Sequence, residues 1–322
     1  MKFRTEIEVA PWAEPIGYSQ RIVSLGSCFA TNIAQRLHDR KFNVTSSPTG
    51  ILFNPASIAA AVRDMVEGRI VTPEELILLN DNYVSYRFHS SVSGATPEAT
   101  AEHMNETLRA GGEAIKQADL MIVTLGTAWV YRLRSTGVVV ANCHKQPAAE
   151  FRRELLSTEE IIEAIEAILS LTHCRLVLTL SPVRHIGEGV EDNSLSKSLL
   201  RVAIAEVMHR HPKRVTYFPS YEIMMDDLRD YRFYASDLVH PSEMAVDYIA
   251  EKFFDAALSA EAKELMSKVV DITRAANHRP SNPRSEQHRA FCQRQIEAID
   301  RLTGVDLSEE RGYFERMLQI NL

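Results

Sequence analysis

The sequence predicts an α/β protein with a mainly parallel sheet and helices on both faces. Three observations lead there. Short apolar runs recur at 21–26 (RIVSLG), 118–126 (ADLMIVTLG), 175–183 (RLVLTLSPV) and 214–220 (RVTYFPS). Longer stretches of helical periodicity separate them, which is the pattern of βαβ units. The runs end in small or turn-forming residues, at the carboxyl ends of strands where open parallel sheets gather their sites.

Taken in chain order, RIVSLG reads as a buried strand. FATNIAQRLHDR (29–40) follows as a helix with Phe29, Ile33 and Leu37 on one face. TSSPTGILFNP (45–55) is rich in turn formers and reads as a loop, with helix resuming over 56–67. The stretch 68–100 reads as a helical turn plus an irregular insertion around NYVSYRFHSSVSG. A helix over 101–117 then leads into the strand 118–126. VYRLRSTGVVVAN has the form of a hairpin turning at Thr136-Gly137. Helix 158–171 feeds strand 175–183, helix 194–210 feeds strand 214–220, and a last helix begins near Pro241. Beyond residue 260 the pattern changes. Helical segments at 259–272 and 286–303 flank the polar TRAANHRPSNPRSEQHR (273–289). The expected division is a domain over 17–258 and a helical extension over 259–322, packed on the domain or used in oligomerisation.

Composition narrows the function classes. With 45% hydrophobic and 25% charged residues among 322, the chain is that of a folded globular protein. A net charge of −7 gives no global basic field for nucleic acid or an anionic membrane, and the local basic cluster lies near 274–294. Cys28, Cys143, Cys174 and Cys292 form no CxxC pair, so neither a zinc ribbon nor a dense disulfide framework is expected. MKFRTEIEVAPW lacks a signal peptide's apolar core, and no apolar run reaches the roughly 18 residues of a membrane span. A cytoplasmic setting is the expectation. There is no GxxxxGK[ST], no GxGxxG after a strand and no HExxH, so no phosphate cradle and no metal site is expected.

Residues with chemistry gather at the strand ends. Gly26-Ser27-Cys28 follows the first strand, Gly126-Thr127 another, and Ser181 to His185 a third. SDLVHPS, near the end of the sheet, carries Asp237 three residues before His240. A serine hydroxyl is a weak nucleophile until a base takes its proton, and imidazole suits that task near neutral pH. A carboxylate on the far ring nitrogen fixes the tautomer and stabilises the imidazolium. Ser27, His240 and Asp237 are therefore candidate nucleophile, base and orienting acid. The Ser27 N–H at a helix start is a candidate oxyanion donor. Gly50 in PTGI is another, since glycine lets backbone approach a substrate closely. Other readings compete. Ser27 is also a good N-cap. Cys28 is itself a candidate nucleophile if the helix start lowers its pKa, or else filler beside an apolar face. Trp129 and Tyr131 either wall a pocket or pack where the hairpin starts.

GSCFA at 26–30 with DLVH at 237–240 resembles the GSCFA family, itself similar to the GDSL/SGNH hydrolases. TLGTAWVY (124–131), ANCHK (141–145), SPVRH (181–185) and YFPSYEIM (217–224) add to the match, which runs over about residues 20–255. The resemblance implies a flavodoxin-like α/β/α three-layer domain, with Ser27 as nucleophile, His240 as base, Asp237 as third triad member and Gly50 as oxyanion donor. SGNH enzymes carry Gly-x-Asn-Asp after a strand. Here the aligned stretch is Gly126-Thr127-Ala128-Trp129, without the amide. Thr127, Asn142 and His185 are candidate replacements, and His144 and His185 candidate substrate contacts. The implied activity is a serine hydrolase that cleaves small acyl esters, on carbohydrate-like substrates, through an acyl-Ser27 intermediate and without a cofactor. An acyltransferase with the same triad and a non-catalytic ligand-binding domain are the alternatives.

Overall fold

The computed structural model describes residues 4–187 and 189–320. Its centre is a five-stranded sheet of β1 (Arg21–Gly26), β2 (Asn43–Ser46), β5 (Leu120–Leu125), β9 (Arg175–Leu180) and β10 (Val215–Phe218), in the order β2-β1-β5-β9-β10. Every pairing in it is parallel. Parallel neighbours need crossovers, and helices supply them: α1 (Cys28–His38), α2 (Pro55–Glu67), α3 (Pro97–Lys116), α4 (Thr158–Leu171) and α5 (Val190–Arg210). After β10 come the short α6 (Ser220–Glu222), a π-helical turn Ile223–Asp227, and α7 (Glu243–Ala257).

Successive strand residues point to opposite faces, and both faces are covered, which is why the strands read as unbroken apolar runs. Val23, Met121, Val123 and Leu178 face a core built with α2 to α5. Ile22, Leu120, Ile122 and Val177 face the other core, with Phe29, Ile33 and Leu37 of α1 and Val246, Ile249 and Phe253 of α7. The result is a flavodoxin-like α/β/α domain of three layers.

The sequence missed several elements. β2 falls partly in the expected loop; NVTS is a short edge strand, half-exposed, with no apolar alternation to announce it. The irregular insertion holds a small hairpin, β3 (Ile77–Leu79) with β4 (Asn82–Val84). The hairpin at Gly137 forms from β6 (Trp129–Leu133) and β7 (Val139–Val140). Its outer partner β8 (Phe151–Leu155) went unread, because FRREL carries two adjacent arginines.

The extension comprises α8 (Ala260–Asn277), α9 (Glu286–Asp300) and α10 (Ser308–Gln319). They enclose a core of their own with Val269, Ile272, Cys292 and Phe314, and Tyr18 of the main domain packs against it. Lys41 reaches Glu309 at 2.9 Å and Glu310 at 2.8 Å across the seam. Among the described residues no helix is long and apolar enough to cross a membrane.

Candidate active site

Within the sheet the strands follow the chain order 2-1-3-4-5, so the topological switch point lies between β1 and β5. Open α/β sheets bind ligands in the crevice beyond the carboxyl ends at that point. Gly26-Ser27-Cys28 leaves β1 there and Gly126 leaves β5. The turn demands glycine: Gly26 has φ +126°, and a Cβ at that position would lie 2.2 Å from the Thr124 carbonyl oxygen.

Ser27 occupies the N-cap position of α1 but does not act as a cap: its side chain makes no capping bond. The residue is fully buried, and Oγ finds no hydrogen-bond partner among the described residues. Its N–H donates to Thr124 O at 3.1 Å, extending the β1–β5 ladder by one rung. Gly50, at φ +83°, donates its N–H to Ser47 O at 2.8 Å. Both expected oxyanion donors are thus engaged within the chain.

Cys28, the first helical residue, is half-buried. Burial pushes its thiol pKa up, more than the N–H groups of Phe29 and Cys28 and the charge of Lys197 pull it down. Asp237 adds to the rise.

The DLVH loop is built around its carboxylate. Asp237 Oδ1 accepts the N–H of Val239 at 2.9 Å and of His240 at 3.0 Å, while Oδ2 meets His240 Nδ1 at 2.7 Å. These contacts, the His240 N–H first, hold the Asp237 carboxyl down to about 2. With Nδ1 bound to a carboxylate, Nε2 is the nitrogen left to take a proton. Both side chains are 49% exposed. The ring is hydrogen-bonded to neither Ser27 nor Cys28; in unliganded sites such contacts are commonly long and tighten with substrate.

The other candidates line the same edge in different ways. Gly126 and Thr127 both donate to Phe53 O, at 2.7 and 3.0 Å, which ties the loop after β2 to the loop after β5. The Thr127 hydroxyl already pairs with Ser196 Oγ at 3.1 Å and accepts the Trp129 N–H at 3.0 Å. Asn142 turns its Oδ1 onto the His144 N–H at 2.8 Å. His144 Nε2 meets Ser85 O at 2.8 Å, so Nδ1 is an unpaired buried acceptor. His185 is anchored through its N–H to Asn193 Oδ1 at 2.9 Å and packs edge-on against Phe53. Its Nε2 is buried without a partner beside Gly126. Burial, then the charges of Lys197 and His240, take its pKa down to about 3, so the ring is neutral. Of the three possible replacements for the missing amide, His185 is the one with a buried, unpaired side-chain atom, its Nε2 beside Gly126.

Lys197 on α5 was not anticipated. It is 2% exposed, and its Nζ donates to Gly126 O and Ser181 O, both at 2.7 Å, bridging the ends of β5 and β9. Tyr221 lies 5.4 Å from the ammonium. Burial takes its pKa down to about 7, with Cys28 acting in the opposite sense. A signal existed in the sequence: Lys197 shares a helical face with Asn193, Leu200, Ile204 and Val207, all buried. Among the described residues no three His, Cys, Asp or Glu side chains converge as metal donors.

The fold and this edge define a flavodoxin-like α/β/α protein with its polar side chains collected at the switch point. Within that class the chain belongs to the GSCFA family. The GSCFA family model matches residues 21–253. A second model, GSCFA domain protein, C-terminal domain, matches residues 269–320. No curated protein matches the chain.

Proposed function

We propose that this site hydrolyses small acyl esters through an acyl-enzyme formed on the Gly26-Ser27-Cys28 turn. The observation that carries the reading is the Asp237–His240 pair, a 2.7 Å contact to Nδ1 whose carboxylate is fixed by two backbone N–H groups. Such a pair leaves Nε2 to remove the nucleophile's proton and return it to the leaving oxygen, and then to activate water for deacylation. No cofactor is needed for these steps.

Beside the DLVH loop lies a cavity of about 320 Å³ whose lining includes Tyr231 and Tyr234, the guanidinium groups of Arg184 and Arg229, and the carboxylates of Asp226 and Asp230. Arg184 is tied to the loop through its N–H to Val239 O at 3.1 Å. Exposed Tyr231 and half-buried Tyr234, beside guanidinium and carboxylate groups, suit the ring faces and hydroxyls of a carbohydrate-like ester. A sugar hydroxyl in place of water would make the same site an acyltransferase.

A second reading has its own support. The Ser27 and Gly50 N–H groups are committed within the chain, as they would be in a binding domain that performs no chemistry. Turnover of p-nitrophenyl acetate and acetylated sugars separates the two. A hydrolase loses about 10²–10⁴-fold in rate on His240→Ala. Asp237→Asn, which keeps the loop's shape but not the charge, should lose a comparable factor or less. No turnover by the folded wild type on either substrate class, with ligand binding retained, would leave the binding domain.

A further inference from the structure

We propose that Cys28, not Ser27, is the nucleophile of this site, and that buried Lys197 is the positioning residue whose charge favours the thiolate. The proposal rests on the reading that the site cleaves acyl esters.

The two side chains of the turn differ in what surrounds them. Ser27 is fully buried, and its Oγ touches neither a base nor a capped N–H. That hydroxyl is sealed from solvent and has no hydrogen-bond partner among the described residues. The Cys28 thiol is half-buried at the first position of α1, where burial raises its pKa and the N–H groups of Phe29 and Cys28 act against that rise. The charges that act on it are those of Lys197 and of Asp237, the carboxylate bound to His240. The thiol therefore lies in the electrostatic field of both halves of the site, the dry ammonium and the half-exposed pair.

Lys197 poses the complementary puzzle. An ammonium in low dielectric is costly unless paired, yet no carboxylate pairs with Lys197 among the described residues. Its partners are two neutral carbonyls at strand ends, and an ammonium carries a third donor. The groups facing it are Cys28 from α1, His185 from the loop after β9 and Tyr221 from α6. His185 is neutral, and Tyr221 has its pKa raised by burial. A thiolate is thus the anion this cation is placed to offset.

The chemistry balances without a further reagent. His240 Nε2 takes the thiol proton as sulfur attacks the acyl carbon, forming the C–S bond and moving the carbonyl π pair onto oxygen. Collapse breaks the ester C–O bond, and the imidazolium returns its proton to the departing alkoxide, leaving a thioester. Water, deprotonated by His240, then adds to the thioester. Collapse expels the Cys28 thiolate, which takes back the proton, and the acid is released.

The experiment measures ester hydrolysis and iodoacetamide alkylation of individual cysteines, by peptide mass spectrometry across pH, on folded wild type, Ser27→Ala, Cys28→Ala, Lys197→Met and Lys197→Gln. Cys28 should alkylate faster than half-buried Cys143. Cys28→Ala should lose about a hundredfold or more in hydrolysis, while Ser27→Ala retains it. Either Lys197 variant should slow Cys28 alkylation by about tenfold below about pH 7, where Lys197 keeps its proton, with the difference fading above it. A merely structural lysine would leave that rate unmoved. Hydrolysis that survives Cys28→Ala and dies with Ser27→Ala overturns the cysteine and keeps the hydrolase. An unchanged rate below about pH 7 in the folded variants overturns the role of Lys197. Rapid alkylation of Cys28 in a wild type with no ester turnover overturns the hydrolase reading instead, so the two failures are told apart.

Discussion

The turn after β1 and the loop before α7 meet at one edge of the sheet but are built on opposite terms. The Gly26-Ser27-Cys28 turn is dry. Its serine is fully buried, its N–H is spent on the ladder, and Lys197, sealed from water, acts on its cysteine. The DLVH loop is wet. Asp237 and His240 are each 49% exposed and are held by hydrogen bonds within four residues of chain. One half owes its geometry to the close packing of the whole domain, the other to a local motif. Acid–base chemistry needs both kinds: a base in contact with solvent protons, and a nucleophile whose charge changes in low dielectric, where a fixed dipole or cation acts strongly.

Breaking the dry side should have the largest effect. Gly26→Ala places a methyl 2.2 Å from the Thr124 carbonyl at φ +126°. Backbone strain and overpacking together should cost about 3 kcal/mol of stability. Urea unfolding followed by circular dichroism measures it. A cost within about 0.5 kcal/mol of wild type would mean that the turn yields as easily as an exposed surface site, and that the contrast with the DLVH loop is false.

That division also explains what could be read from the sequence. β1, β5 and β9 announce themselves because burial on both faces makes RIVSLG, LMIVTL and RLVLTL nearly continuous apolar runs. Asp237 and His240 are legible because their relation is local, three residues in one turn. Relations across the fold are not. Ser27 and Cys28 are adjacent in the chain, and only the packing of α1 against the sheet decides which of them is sealed. The engagement of Thr127 with Ser196 likewise depends on a loop folding back on α5. Lys197 lies between these cases. Its register with Leu200, Ile204 and Val207 marks a buried face, yet a lone lysine on a helix reads as a snorkelling side chain until the strand ends it bridges are known.

Lys197 sharpens the comparison through pH. Its pKa falls from the ordinary 10.5 to about 7 in the fold. Below about 7 both folded and unfolded chains hold the proton, and the fold bears the full cost of the buried charge. Between about 7 and 10.5 the unfolded chain holds the proton and the folded one does not, so stability rises with pH in that window. The stability of wild type relative to Lys197→Met should therefore improve by roughly 2–3 kcal/mol between about pH 6 and about pH 9. Urea midpoints at the two pH values report it, with the variant cancelling the titrations common to both proteins. A flat difference would mean that the ammonium keeps its proton and that this side of the site is not dry.

Ser27→Ala carries the smallest expected effect on stability. An N-cap serine replaced by alanine loses about 1 kcal/mol because a helix N–H is left without its acceptor. Ser27 makes no such bond, and its Oγ is buried without a partner. Removing an unsatisfied buried hydroxyl relieves a desolvation cost instead, while the loss of one small polar atom opens little space. Thermal unfolding should show the variant as stable as wild type, or up to about 1 kcal/mol more so. A loss of about that size would show that the hydroxyl finds a partner in solution, and the two residues of the turn would no longer differ in what satisfies them. Stability retained or improved, in a variant whose helix start is unchanged, would show that the Ser27 hydroxyl is held by no partner, in contrast to the bonded Asp237 carboxylate of the opposite loop.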